Sequence, residues 1–159
     1  MAIDISPYWK ERVSRLLPDL REGFSFEFTS PADPNYNCLS WALSHTFSPF
    51  ENAKGAFWAW PNIPDDTAEG WAQVCQIHGF VRADSTAFVR GYEKIAILQD
   101  EEGDLHACRQ DRTGWWKSKL GDIGPDIDHD GLDCLEPAYG KVVIVLCKRR
   151  PDWDAPEDA

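Results

Sequence analysis

Apolar positions along the chain switch between helical and alternating spacing, and the switches mark the elements. After Ser6-Pro7, Trp9, Val13, Leu16 and Leu17 recur at helical spacing, so a helix with Ser6 as N-cap and Pro7 in its first turn runs up to Pro18. Phe24, Phe26 and Phe28 alternate with Ser25, Glu27 and Thr29, the period of a short strand. Leu39, Ala42, Leu43 and Thr46 return to helical spacing behind the turn formers Asp33, Pro34, Asn35 and Asn37, which predicts a helix beginning within a residue of Cys38. Asp65-Asp66-Thr67 caps a further helix that turns Ala68, Trp71, Ala72 and Cys75 inward and ends at His78-Gly79.

The second half reads as strands. Phe80 to Val89 is a strand or a loop, and Lys94 to Gln99, the acidic turn Asp100 to Asp104 and Leu105 to Gln110 form a hairpin. Trp115 to Leu120 pairs as a third strand after a turn at Asp111 to Gly114, and Lys141 to Arg149 reads as a last strand buried on both faces. The expected class is α+β, with N-terminal helices packed on a C-terminal antiparallel sheet. Residues 1–150 make one domain, since no repeat or low-complexity linker divides them, and Pro151 to Ala159 is expected to be a disordered tail.

Composition narrows the partners. A formal net charge of −11 opposes nucleic-acid phosphates and anionic membranes, so neither is expected as a partner. The N-terminal segment carries charges throughout and no apolar run reaches the length of a span, so the default expectation is the cytoplasm, with non-classical export as an effector left open. Five cysteines, at 38, 75, 108, 134 and 147, include no C-x-x-C pair, which suits reduced thiols and argues against a disulfide framework or a zinc ribbon.

Of these cysteines, Cys38 has the most reactive expected surroundings. Free N–H groups and the positive end of a helix dipole favour a thiolate, and the same N–H groups can hold an oxyanion. The alternative is a buried, inert cysteine, and a suitable base elsewhere decides between them. His45, seven residues further along the same helix, would lie about 10 Å away. His78 suits a helix C-terminus. His106 opens a strand after a turn, where it can face the N-terminus of a packed helix, and it is the expected general base. By alternation His106, Cys108 and Gln110 share one strand face, while Leu105, Ala107 and Arg109 share the other.

A helix-start cysteine followed in chain order by a strand histidine resembles the papain-like cysteine hydrolase superfamily, particularly its NlpC/P60-like branch. The blocks Tyr36-Asn37-Cys38-Leu39-Ser40-Trp41-Ala42, Trp60-Pro61, Lys94-Ile95-Ala96, His106-Ala107-Cys108-Arg109-Gln110, Trp116 to Gly121, Asp126-Ile127-Asp128-His129 and Tyr139-Gly140 are similar, in that order, to an uncharacterised bacterial domain family over about residues 33–149. The resemblance implies Cys38 as nucleophile and His106 as general base and later acid, acting on a peptide, protein or other amide through an acyl-enzyme and without a cofactor. Candidates for the orienting member are Ser118 or Lys119 on the next strand, with Asn37, Asp126 and His129 as further supports. Gln110 shares His106's face but stands about 13 Å along the strand. The Cys38 backbone N–H, with the Asn35 or Asn37 side chain, would hold the oxyanion. Asn37-Cys38-Leu39-Ser40 replaces the Asp-Cys-Ser-Gly signature of many NlpC/P60 enzymes.

Three further expectations remain. Phe57 to Pro61, with Trp58 and Trp60, forms either a substrate groove wall or ordinary core. Asp126 to Gly131 opens like a calcium loop, but the twelfth position is Pro137, so a solvated acidic loop without a metal is expected. The non-enzymatic alternatives are a catalytically inactive binding module and an acidic immunity or inhibitor protein that neutralises a basic partner.

Overall fold

The computed structural model describes residues 5–30, 39, 60–120 and 124–154. The expectations for Asn35, Asn37, Cys38, His45 and Trp58 lie outside these residues.

Helix α1 (Pro7–Leu16) opens where Ser6 accepts the Trp9 N–H at 3.4 Å, and it buries Val13 completely. Strand β1 (Phe26–Ser30) follows, but Phe24 is not part of it. Arg21 donates its N–H to the Ser25 hydroxyl and accepts from the Phe24 and Ser25 N–H groups, and the resulting turn leaves Phe24 84% exposed. Leu39 is helical and fully buried. Helix α2 (Ala68–Ile77) is capped by the Thr67 hydroxyl on the Gly70 N–H at 3.0 Å and stops at His78, with Gly79 at a φ of 95°. His78 Nδ1 donates to the Val74 carbonyl at 2.8 Å, the helix-end role expected of it.

The remaining strands are β2 (Val81–Arg82), β3 (Tyr92–Gln99), β4 (Leu105–Gln110), β5 (Trp116–Lys119), β6 (Asp126–His129) and β7 (Lys141–Arg149). Between β6 and β7 lie a 3-10 turn (Asp133–Leu135) and the short helix α3 (Glu136–Tyr139). All seven strands form one antiparallel sheet in the order β1-β6-β5-β4-β3-β7-β2. The fold is therefore α+β, though not helices followed by a sheet: β1, from the helical half of the chain, forms one edge by pairing with β6. The Asp100–Asp104 turn that joins β3 to β4 is closed by Asp100, whose carboxylate accepts the Glu102 and Asp104 N–H groups at 3.0 and 2.9 Å, with Gly103 at a φ of 91°.

Three further expectations are corrected. Asp126 to His129 is a strand, not an acidic loop; pairing with β1 and β5 on its two sides pulls Asp126, Ile127 and His129 out of water. Strand β7 is fully buried on one face only: Ile144 and Leu146 are covered in the first-face core, whereas Val143, on the other side, is 48% exposed. Pro151–Asp154 is ordered as a 3-10 turn rather than a tail, held by the Trp153 N–H on the Arg150 carbonyl.

Alternation divides the core between the two sheet faces. On the first, Ile95, Ile97, Ala107 and Leu146 pack with Leu39 and with Trp71, Ala72, Val74 and Cys75 of α2. On the second, Ala96, Leu98, Cys108, Trp116 and Ile127 pack with Val13 and Leu17 from the α1 side and with Leu135. Trp60 packs half-buried against the first cluster, its ring edge-on to His78 at 6.1 Å.

Candidate functional site

His106 alternates with Ala107, so it shares the second face with Cys108. Ser118 alternates with Lys117 and pairs with Cys108 on one side and Ile127 on the other. His129, two residues after Ile127, pairs with Trp116. Three neighbouring strands thereby bring His106, Ser118 and His129 together. The Ser118 hydroxyl lies 3.1 Å from His106 Nε2 and 2.8 Å from His129 Nε2. His129 Nδ1 is 2.8 Å from the Gly131 carbonyl. His106, Ser118 and His129 are 1%, 0% and 0% exposed.

His106 does not stand open at the sheet rim. The Tyr139 ring of α3 stacks on its imidazole with centroids 3.9 Å apart and an interplanar angle of 16°. Gly140 lets the chain return at that point: it has a φ of 84°, and a Cβ there would collide with the Gln99 carbonyl. Burial pushes the His106 pKa down to about 3, reinforced by His129. Burial also lowers His129 to about 4, against smaller raising effects from the Gly131 carbonyl and Asp130. Both imidazoles are neutral near pH 7.

Two cysteines border this group. Cys108 is buried, its thiol pKa raised by desolvation and its Sγ directed at the Ala96 carbonyl at 3.8 Å. Cys134 lies 3.9 Å from His129 Nδ1 and donates to the Gly131 carbonyl at 3.5 Å. Desolvation, with Asp130, Asp133 and Asp19 adding to it, lifts its pKa to about 11, so it stays a thiol.

The sequence-derived candidates therefore divide. Ser118 and His129 join His106. Gln110 shares their face but donates its amide to the Gly114 carbonyl at 3.1 Å, away from His106. Lys119 and Asp126 are cross-strand partners of opposite alternation to Ser118 and Ile127, so they belong to the first face, the face on which Leu39 is buried. There Lys119 is fully buried and donates to the Gly124 carbonyl. Lys117 bridges Asp128 at 2.8 Å and Asp111 at 3.4 Å. Desolvation lowers the Arg109 pKa on this face, partly offset by Glu93, Asp111, Asp126 and Asp128. Sequence reasoning missed Tyr139 and Gly131 as participants; the aromatic-glycine step Tyr139-Gly140 was the one local signal for the first.

Residues 27–147 match the family described as Domain of unknown function (DUF7689). The chain belongs to that family. The DUF7689 match takes in Leu39, His106, Ser118, His129 and Tyr139, so both sheet faces and the buried histidines lie within it. No curated protein and no solved structure matches the chain. Among the described residues, no group of three or more His, Cys, Asp or Glu side chains could hold a metal ion, and no helix is long and apolar enough to cross a membrane.

Proposed function

We propose that this DUF7689 domain is a thiol-dependent hydrolase or acyl transferase of papain-like, NlpC/P60-like type, with Cys38 as nucleophile and His106 as base. The Cys38 sulfur attacks an amide or ester carbonyl, the C–N or C–O bond breaks, and the departing amine or alcohol takes the proton that His106 received from the thiol. Water or a second amine then releases the acyl group. The single supporting observation is the 3.1 Å contact from His106 Nε2 to Ser118 on the next strand, which holds the ring while its Nδ1 has no hydrogen-bond partner among the described residues. The experiment is the rate of Cys38 alkylation against pH in the parent and in His106→Gln. An apparent pKa well below about 8.5 that rises in the variant supports the pair. An inert thiol, or one indifferent to His106, overturns it.

Specific observations favour a second reading, a non-catalytic acidic binding module. Leu39 is buried on the face opposite His106, and Tyr139 covers the imidazole. Outside α3, a groove of about 790 Å³ is lined by Asp100, Glu101, Glu102 and Glu136 with Lys141, a surface suited to a basic protein segment. Under this reading Cys38 alkylation is independent of His106, and charge reversal at Glu101 and Glu102 weakens capture of a lysine-rich peptide.

A further inference from the structure

The geometry points to His129 as a positioning residue that, through Ser118 and anchored by the Gly131 carbonyl, sets His106 in the Nε2–H tautomer with Nδ1 as its proton-accepting nitrogen. This rests on the hydrolase reading only for its use in catalysis; the tautomer itself follows from the hydrogen bonds.

The direction of the chain is forced at its far end. A carbonyl oxygen only accepts, so the 2.8 Å contact between Gly131 and His129 Nδ1 requires a proton on that nitrogen. A neutral imidazole has one N–H, which leaves His129 Nε2 as an acceptor, 2.8 Å from the Ser118 hydroxyl. Ser118 has one proton to give, and His129 takes it. Towards His106, 3.1 Å away, the same oxygen then accepts, so His106 Nε2 carries the hydrogen and Nδ1 carries the lone pair. The two buried histidines are thus opposite tautomers, fixed by a backbone oxygen three hydrogen bonds away from His106. Cys134 does not compete for this role, because its thiol shares the Gly131 carbonyl as a donor and faces a nitrogen that already bears a proton.

The device differs from a lone polar side chain beside the base. A serine hydroxyl can donate or accept, so Ser118 by itself would leave His106 free to take either tautomer. His129 removes that freedom.

The test uses the full chain, labelled with ¹⁵N-histidine, and long-range imidazole correlation spectra near pH 7.5. The parent should show His106 with a pyrrole-type Nε2 and a pyridine-type Nδ1, and His129 with the reverse. In His129→Phe the Ser118 proton is no longer claimed, and the His106 resonances should move towards a mixture of tautomers; His129→Gln, whose amide oxygen can accept from Ser118, should restore the parent pattern. A parent His106 protonated on Nδ1, or a His106 pattern unchanged in a folded His129→Phe, overturns the proposal. Should His129→Phe fail to fold, the parent spectrum and Ser118→Ala decide it, since removing the hydroxyl must also release the tautomer. Cys38 alkylation is a separate readout: opposite tautomers with an inert Cys38 reject the hydrolase and retain the positioning role, and a reactive Cys38 with the wrong tautomer does the reverse.

Discussion

Tyr139 lies almost parallel to His106, 16° between ring planes at 3.9 Å, and closes the one imidazole that the sequence singles out as a base. Tyr139→Ala removes the stack and its buried area, with an expected loss of about 2 kcal/mol. It should also raise the His106 pKa from its depressed value towards the ordinary one, because water reaches the ring. Urea denaturation and an NMR titration of His106 check both effects.

The neutral histidines make the domain sensitive to acid. In the unfolded chain each would titrate near pH 6.5, whereas in the fold His106 resists protonation to about 3 and His129 to about 4. Below 6.5 the unfolded state binds more protons, so stability falls as pH falls, until the folded values are reached. From pH 7.5 to pH 5 the loss is about 2 kcal/mol per histidine. Denaturant midpoints at the two pH values measure it, and the slope should be roughly halved in His129→Gln.

Leu39 is fully buried among Trp71, Ala107 and Leu146 of the first face. Leu39→Ala should cost about 2–5 kcal/mol, as expected for a cavity in a packed core. Thermal unfolding tests this, and a loss below 1 kcal/mol would show that the residue is not in the core.

Thiol mapping separates Cys38 from the other cysteines of the chain. Cys75, lifted by burial to about 12, and Cys108, raised for the same reason, should resist iodoacetamide in the native state at pH 7.5. Cys134, held at about 11, should react slowly. Mass spectrometry of tryptic peptides from a time course gives the order directly.

Gly140→Ala should destabilise the domain by more than 2 kcal/mol, since it adds a left-handed strain to a collision with the Gln99 carbonyl. Gly131→Ala, with open space around its Cβ, should cost only the strain. Comparing the two in one urea series isolates the effect of close approach.

Helices α1 and α2 and the β3–β4 hairpin were legible because caps, period and turn residues agree locally: Ser6 with Pro7, Thr67 with Gly79, and Asp100 with Gly103. Strand β6 was not, because its acidic spacing imitates a cation loop and only its two sheet neighbours reveal what it buries. The candidate site was legible as a set of residues, His106, Ser118 and His129, but not as a chain of contacts. That chain depends on the relative register of three strands and on a cover supplied by Tyr139, neither of which leaves a periodic trace. For the same reason Lys119 and Asp126 stood beside Ser118 and His129 in the sequence and are parted by alternation in the fold.

The Asp100–Asp104 turn touches neither histidine, yet it decides whether they meet. A slip of one residue between β3 and β4 would exchange His106 with Leu105 or Ala107 and carry the imidazole across the sheet towards Trp71, away from Ser118. The Asp100 carboxylate and the left-handed Gly103 thus act as a phase setter for the strand. Inserting or deleting a single residue in that remote acidic turn would be a more complete knockout than many substitutions beside the ring, and insertions that persist there through evolution should preserve the parity of the strand that follows.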